Sequence, residues 1–381
     1  MRICYCDNAD STQIRQEVLD VMQEASQHYG NASASHDMGK KSLEYIEIAR
    51  KQIANTIGAK PNEIIFCSSG TEANNLALQG YLMANYPYEC HVITSSIEHA
   101  SVLNTLNYLY GIGYDFTLLP VDRQGIVDID YLQRSIRRGT ALISIMYVNN
   151  EVGSIQQIKQ IAEIAKRYGI CVHTDAVQAY GHLPISINDL CVDMLSLSAH
   201  KIYSSKGIGA LYVRENINLQ PMIFGCCQEY GLRSGTENFV NIAAFGKGAE
   251  LATAEMQETE NKLAELKERL IQGVTDKISG VVINSNPQYT LPSILNMSFY
   301  DVYSLDLVRA LNDEGIYVSD ASICPIGNRQ SSRVLTAMGL PQHIARGGVR
   351  FSFGRYNTIE DADYILDVLQ DIITNLRKGA R

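Results

Sequence analysis

The run Asp193-Met194-Leu195-Ser196-Leu197-Ser198-Ala199-His200-Lys201-Ile202-Tyr203 sets a lysine directly behind an apolar strand. A solvated surface charge gains nothing from that position. An amine held in a pocket does, because losing water lowers its pKa and lets it form an imine with a carbonyl. Upstream the pattern recurs. Ile64-Ile65-Phe66-Cys67, His91-Val92-Ile93-Thr94, Ala141-Leu142-Ile143-Ser144-Ile145 and Ile170-Cys171-Val172-His173 read as buried strands. Between them lie helical spacings such as Ile158, Ile161, Ile164 and Ala165, closed by Gly169. Alternation of this kind from about residue 60 to 215 implies an α/β fold with a mostly parallel sheet covered by helices. In such sheets ligands sit beyond the carboxyl ends of the strands.

The chain has 381 residues, enough for two domains. Its composition, 46% hydrophobic and 19% charged with 28 Gly and 9 Pro, excludes collagen-like, disordered and coiled-coil classes. A net charge of −9 argues against general binding to nucleic acid or anionic membrane. There is no apolar run of the roughly 18 residues that a spanning helix needs, and Met1 to Asp7 contain no signal-peptide core, so the expected location is cytoplasmic. Nine cysteines, odd in number and without a Cys-x-x-Cys pair, make neither a disulfide framework nor a zinc site, and no metal is expected. Near Leu251 the character changes. A Glu/Lys-rich helix over 254–268, strand-like runs over 280–284 and 294–299 and an amphipathic helix from 359 to about 376 read as a smaller α+β domain. The boundaries drawn are 15–252 for the large domain, and 1–14 with 253–381 for the small one.

Each strand of the large domain ends in polar residues. Ser68-Ser69-Gly70-Thr71-Glu72 leads into a helix whose first N–H groups suit a phosphate, although the same residues also suit plain N-capping. Glu98-His99, Asn149-Asn150-Glu151 and Asp175-Ala176-Val177-Gln178 follow three further strands. A phosphate cradle (Gly70, Thr71), a flat ring (His99), a carboxylate (Asp175) and an imine-forming lysine (Lys201) are together what pyridoxal phosphate requires.

These motifs, with Tyr29-Gly30-Asn31, Gly231-Leu232-Arg233-Ser234-Gly235-Thr236-Glu237-Asn238 and Val349-Arg350-Phe351-Ser352, run nearly end to end. The chain resembles the cysteine desulfurases of the NifS/IscS type, class V aminotransferase relatives with pyridoxal-phosphate fold type I. The resemblance implies a large domain with a seven-stranded sheet, a homodimer, and an L-cysteine desulfurase that releases L-alanine. Lys201 would hold the cofactor, Asp175 would pair with its ring nitrogen, Gln178 would bind its phenolic oxygen, and His99 would stack on the ring. Thr71, Ser198 and His200 would bind phosphate, joined by Thr236 from the partner subunit. Asn150 and Arg350 would hold the substrate carboxylate. His99 would also serve the substrate thiol, and Cys324 would take the sulfur as a persulfide.

Cys324 lies in a polar stretch that runs to Ser332 without apolar periodicity, which implies a mobile loop; the resemblance implies that this loop carries sulfur outward to an acceptor protein. That acceptor could be an iron–sulfur scaffold, a tRNA-thiolation enzyme or a DNA-sulfur-modification protein. Around Cys324 the residues depart from the resembled pattern, as do Asp10-Ser11, where Ala-Thr is usual, and Cys226-Cys227, where glycines are usual. A selenocysteine lyase or another class V lyase or aminotransferase remains the alternative reading.

Overall fold

Short runs of Ile, Val and Leu, too brief for helices, become strands covered on both faces. The computed structural model of the chain describes residues 2–86, 90–320 and 331–379. Its strands are β1 (Cys4–Tyr5), β2 (Ile64–Cys67), β3 (His91–Ser95), β4 (Asp115–Leu119), β5 (Thr140–Ser144) and β6 (Cys171–Asp175). They continue as β7 (Met194–Ser198), β8 (Gly209–Val213), β9 (Val281–Ile283), β10 (Ile294–Phe299), β11 (Ile316–Tyr317) and β12 (Gly348–Ser352).

Seven of these make the central sheet, in the order β2-β8-β7-β6-β5-β3-β4. Only β8 runs against its neighbours, because it returns directly from β7 through the connection 199–208, which contains Lys201. Strand alternation splits the core into two layers. Ile64, Phe66, Ile93, Ile143, Val172 and Leu195 face one cluster, while Ile65, Cys67, Val92, Leu142, Cys171 and Met194 face the other. The helices Asp37–Ile57 and Ile158–Arg167 cover the first face; Ala100–Tyr110 covers the second.

A smaller antiparallel sheet, β12-β10-β9, has its own core, and β1 reaches it by pairing in parallel with β11. The two cores share one helix of 39 residues, Phe239–Lys277. Ile242, Phe245 and Ala249 pack on the large core; Leu263, Leu266 and Leu270 pack on the small one. Position 252 therefore falls inside a continuous helix, not in a linker. The Glu/Lys-rich stretch over 254–268 is helical and largely exposed, as expected, and forms part of this longer helix. Among the described residues, no helix is long and apolar enough to cross a membrane.

Candidate active site

The carboxyl ends of β3, β6 and β7, the loop after β5 and the helix start after β2 open onto one cavity of about 180 Å³. Gly70, Thr71, His99, Asn150, Asp175, Gln178, Ser198, His200 and Lys201 all line it. At the helix start, Ser69 caps by accepting from the Glu72 N–H at 3.2 Å. A side chain at position 70 would press within 2.6 Å of the Val177 methyl, so only glycine allows this close approach of the two segments.

Two buried groups beside that helix start, Ser198 Oγ and His200 Nδ1, have no hydrogen-bond partner among the described residues. A buried polar atom without a partner is costly, so such a pair fits a ligand that accepts hydrogen bonds. Burial, with Lys201 and Lys206 nearby, lowers the His200 pKa to about 4, keeping the imidazole neutral.

Lys201 Nζ donates to the main-chain carbonyls of Ala9 and, at 2.7 Å, Asp10. Burial lowers its pKa to about 8, aided by Arg350 and opposed by Asp10, Asp7 and Asp175. The amine is thus far more available as a nucleophile than a free lysine.

Asp175 is held at both oxygens. Oδ1 accepts from the Val177 N–H at 3.0 Å, and Oδ2 accepts from Asn74 Nδ2 at 2.7 Å. The second Asn74 hydrogen goes to Ser101 Oγ at 2.8 Å. Ser101 in turn lies 2.8 Å from His99 Nδ1, which also accepts the Ser101 backbone N–H at 3.1 Å. Because Nδ1 accepts from the backbone, a neutral His99 carries its proton on Nε2. One chain of hydrogen bonds therefore orients the carboxylate and the imidazole together. Asn74 and Ser101 were not evident as site residues from the sequence, where polar residues in the first turns of helices read as caps.

Glu98, next to His99, is fully buried and receives Ser95 Oγ–H and, at 3.0 Å, the Met146 N–H. Burial raises its pKa to about 8, so near neutral pH it is mainly protonated. Gln178 lines the cavity but spends its amide on the Ala9 carbonyl at 2.8 Å. Arg350 stands behind the cavity wall. Its Nη2 donates to Asp7 Oδ1 at 2.7 Å and is ion-paired with Asp10 Oδ1 at 2.9 Å, and its Nη1 donates to the Asn150 carbonyl at 2.9 Å.

Thr236 does not line this cavity. It sits in a separate cleft with Glu229 and Arg233, on a segment tied back to the helix start by Arg233 Nε donating to Glu72 at 3.1 Å. Cys324 lies outside the described residues. Cys226 and Cys227 are exposed; the other cysteines described are buried or half-buried.

Residues 4–365 match the model of the family described as aminotransferase class-V. The chain belongs to that family. It is 45% identical over 374 residues to a cysteine desulfurase IscS of Methanosarcina thermophila, covering 98% of this chain and 92% of the relative. Among solved structures, it is similar to one titled NifS-like protein (TM-score 0.93, 35% identity, covering 98% of this chain and all of that one). It is also similar to one titled SspA in complex with cysteine (TM-score 0.82, 36% identity, covering 93% of this chain and all of that one). The fold is that of this family. So is the dependence on pyridoxal phosphate, and the cavity fits it: a lysine amine, a doubly anchored carboxylate, and orphaned Ser198 and His200 beside a helix start.

Proposed function

We propose that Lys201, His99 and Cys324 divide the work of an L-cysteine desulfurase, the activity that goes with this family and with the 45% identity to such an enzyme. The observation that carries the reading is the pairing, in one cavity, of a pKa-lowered Lys201 with the anchored Asp175 and the orphaned Ser198 and His200. Thr71, Ser198 and His200 hold the phosphate, Asp175 the ring nitrogen, and Gln178 the phenolic oxygen once it exchanges its bond to Ala9. When bound there, pyridoxal phosphate supplies an electron sink for charge developing at the substrate Cα.

The chain's own groups do the rest. Asn150 and Arg350 orient the α-carboxylate. Lys201 removes and returns the proton at Cα. His99, with its proton on Nε2, faces the substrate thiol and manages the proton there. The Cys324 thiolate forms an S–S bond to the substrate sulfur as the Cβ–S bond breaks. The bonding pair passes to Cβ, which takes up a proton on the way to L-alanine. The persulfide sulfur then goes to an acceptor protein, whether an iron–sulfur scaffold, a tRNA-thiolation enzyme or a DNA-sulfur-modification protein. The place of Thr236 outside the cavity agrees with a homodimer in which it serves the partner's site.

The test is Cys324→Ser. It should bind cofactor and L-cysteine normally yet accumulate no protein persulfide. Undiminished persulfide would pass the role to Cys226 or Cys227.

A further inference from the structure

We propose that Asp10 is a built-in competitor for the substrate's α-carboxylate, and so a determinant of affinity for amino acids. The proposal rests on the reading of Arg350 as the carboxylate-binding residue. Arg350 lies on β12 and is only 1% exposed. Its Nη2 donates to Asp7 and is ion-paired with Asp10 at 2.9 Å, its Nη1 donates to the Asn150 carbonyl, and buried Nε has no hydrogen-bond partner.

A carboxylate that grips a guanidinium by two parallel hydrogen bonds uses either the Nη1/Nη2 edge or the Nε/Nη2 edge. Both edges include Nη2. With Asp7 bonded to Nη2 and the Asp10 carboxylate 2.9 Å from it, one of the two aspartates must make room. Asp7 is the poorer candidate, since its side chain is only 22% exposed and its backbone is bridged to Ser352 beside Arg350. Asp10 has a side chain 58% exposed and lines the cavity itself.

The backbone at this point is fixed from the other side. The Ala9 and Asp10 carbonyls accept from Lys201, and Ala9 also accepts from Gln178. Asp10 can thus rotate its side chain into solvent while the main chain stays in place. The incoming carboxylate takes its seat, and the ion count around Arg350 is unchanged. Every amino acid that enters must displace this internal carboxylate, whereas an amine without a carboxylate need not. The device weakens amino-acid binding and makes turnover follow the free L-cysteine concentration over a wider range.

The experiment compares the Asp10→Ala and Asp10→Asn holoenzymes with the natural one, using calorimetric binding of L-alanine and of ethylamine, which is L-alanine without its carboxylate. Asp10→Ala should bind L-alanine roughly tenfold more tightly, about 1.4 kcal/mol, and ethylamine as before. The KM for L-cysteine should fall by more than kcat changes, and Asp10→Asn should lie between. Unchanged or weaker L-alanine binding in both variants would overturn the proposal, as would equal tightening for ethylamine. Arg350→Lys separates the two layers of the argument. Loss of L-alanine affinity there supports the carboxylate role of Arg350, whereas undiminished affinity overturns that role and the Asp10 proposal with it.

Discussion

The strand-end cavity and the junction behind it are built differently. In the cavity, polar groups follow buried strands or cap helices, and one chain of them has committed partners: Asp175 to Asn74, Asn74 to Ser101, Ser101 to His99. At the junction, Arg350 gathers Asp7, Asp10 and the Asn150 carbonyl, three segments that meet only when the small sheet docks. The cavity's chain of hydrogen bonds is preorganised by the sheet and has no partner to exchange. The junction holds a guanidinium that, as proposed above, trades one partner for the substrate's carboxylate. Fixed chemistry sits at the carboxyl ends of the central strands, and the proposed exchange sits where the small sheet and the segment holding Asp7 and Asp10 meet them.

Substitutions in the cavity should therefore only lose function, whereas Asp10→Ala at the junction should gain affinity. The largest loss belongs to Lys201→Ala. Desulfuration should drop by more than about 10³-fold, as expected when a proton-transfer group and a covalent anchor go together. A borohydride-reducible imine persisting in that variant would remove Lys201 from its role. Asn74→Ala comes next. It strips one donor from the Asp175 carboxylate, and a hydrogen bond to a charged group corresponds to a roughly tenfold to hundredfold effect, read in cofactor affinity. Should cofactor affinity hold in Asn74→Ala, the Asp175–His99 chain would be incidental packing.

A pH measurement probes the same cavity. With Lys201 lowered to about 8, the neutral amine should become roughly ten times more abundant between pH 7 and pH 9, and cofactor uptake by the stripped enzyme should level off above that. Continued steep rise beyond pH 9 would mean an unperturbed lysine.

The smallest effect is one of stability. The Glu98 carboxyl keeps its proton in the fold up to about pH 8, whereas an unfolded chain releases it near 4.5. The folded state thus binds the extra proton within this window, and stability contributed by Glu98 declines as pH rises across it. Glu98→Gln should flatten that decline, with a higher Tm than the natural protein at pH 8.5 and little difference at pH 5. Equal Tm differences at both pH values would sink the assignment.

The cavity was largely legible in the sequence because its residues sit just after apolar runs, a local signal. Gly70, His99, Asp175 and Lys201 each carry their context within a few positions. The junction was not. Nothing near Asp10 announces Arg350, more than 300 positions away, and Asp10 read only as a departure from a resembled pattern. The reversed β8 also escaped notice, since a five-residue apolar run carries no sign of its direction. The helix Phe239–Lys277 changes composition midway because each half meets a different core, and that change read as a domain boundary. Asn74 and Ser101 were hidden by ambiguity, since a polar residue in a first turn caps a helix far more often than it orients a catalytic group.

The pairing of β1 with β11 has a consequence for how the chain is made. Cys4 and Tyr5 leave the ribosome well before their partners Ile316 and Tyr317, which follow more than 300 residues later. At roughly 5–20 residues per second, that interval lasts on the order of 15 to 60 seconds. Throughout it the nascent amino end carries an unpaired strand edge, with Cys4 and Cys6 still outside the core they later enter. The central sheet can be complete well before then, while Arg350, on a strand made later still, is the last charged group to reach the site. The strand-end cavity can form before β12 is made, and the proposed seat for the substrate carboxylate can form only after it.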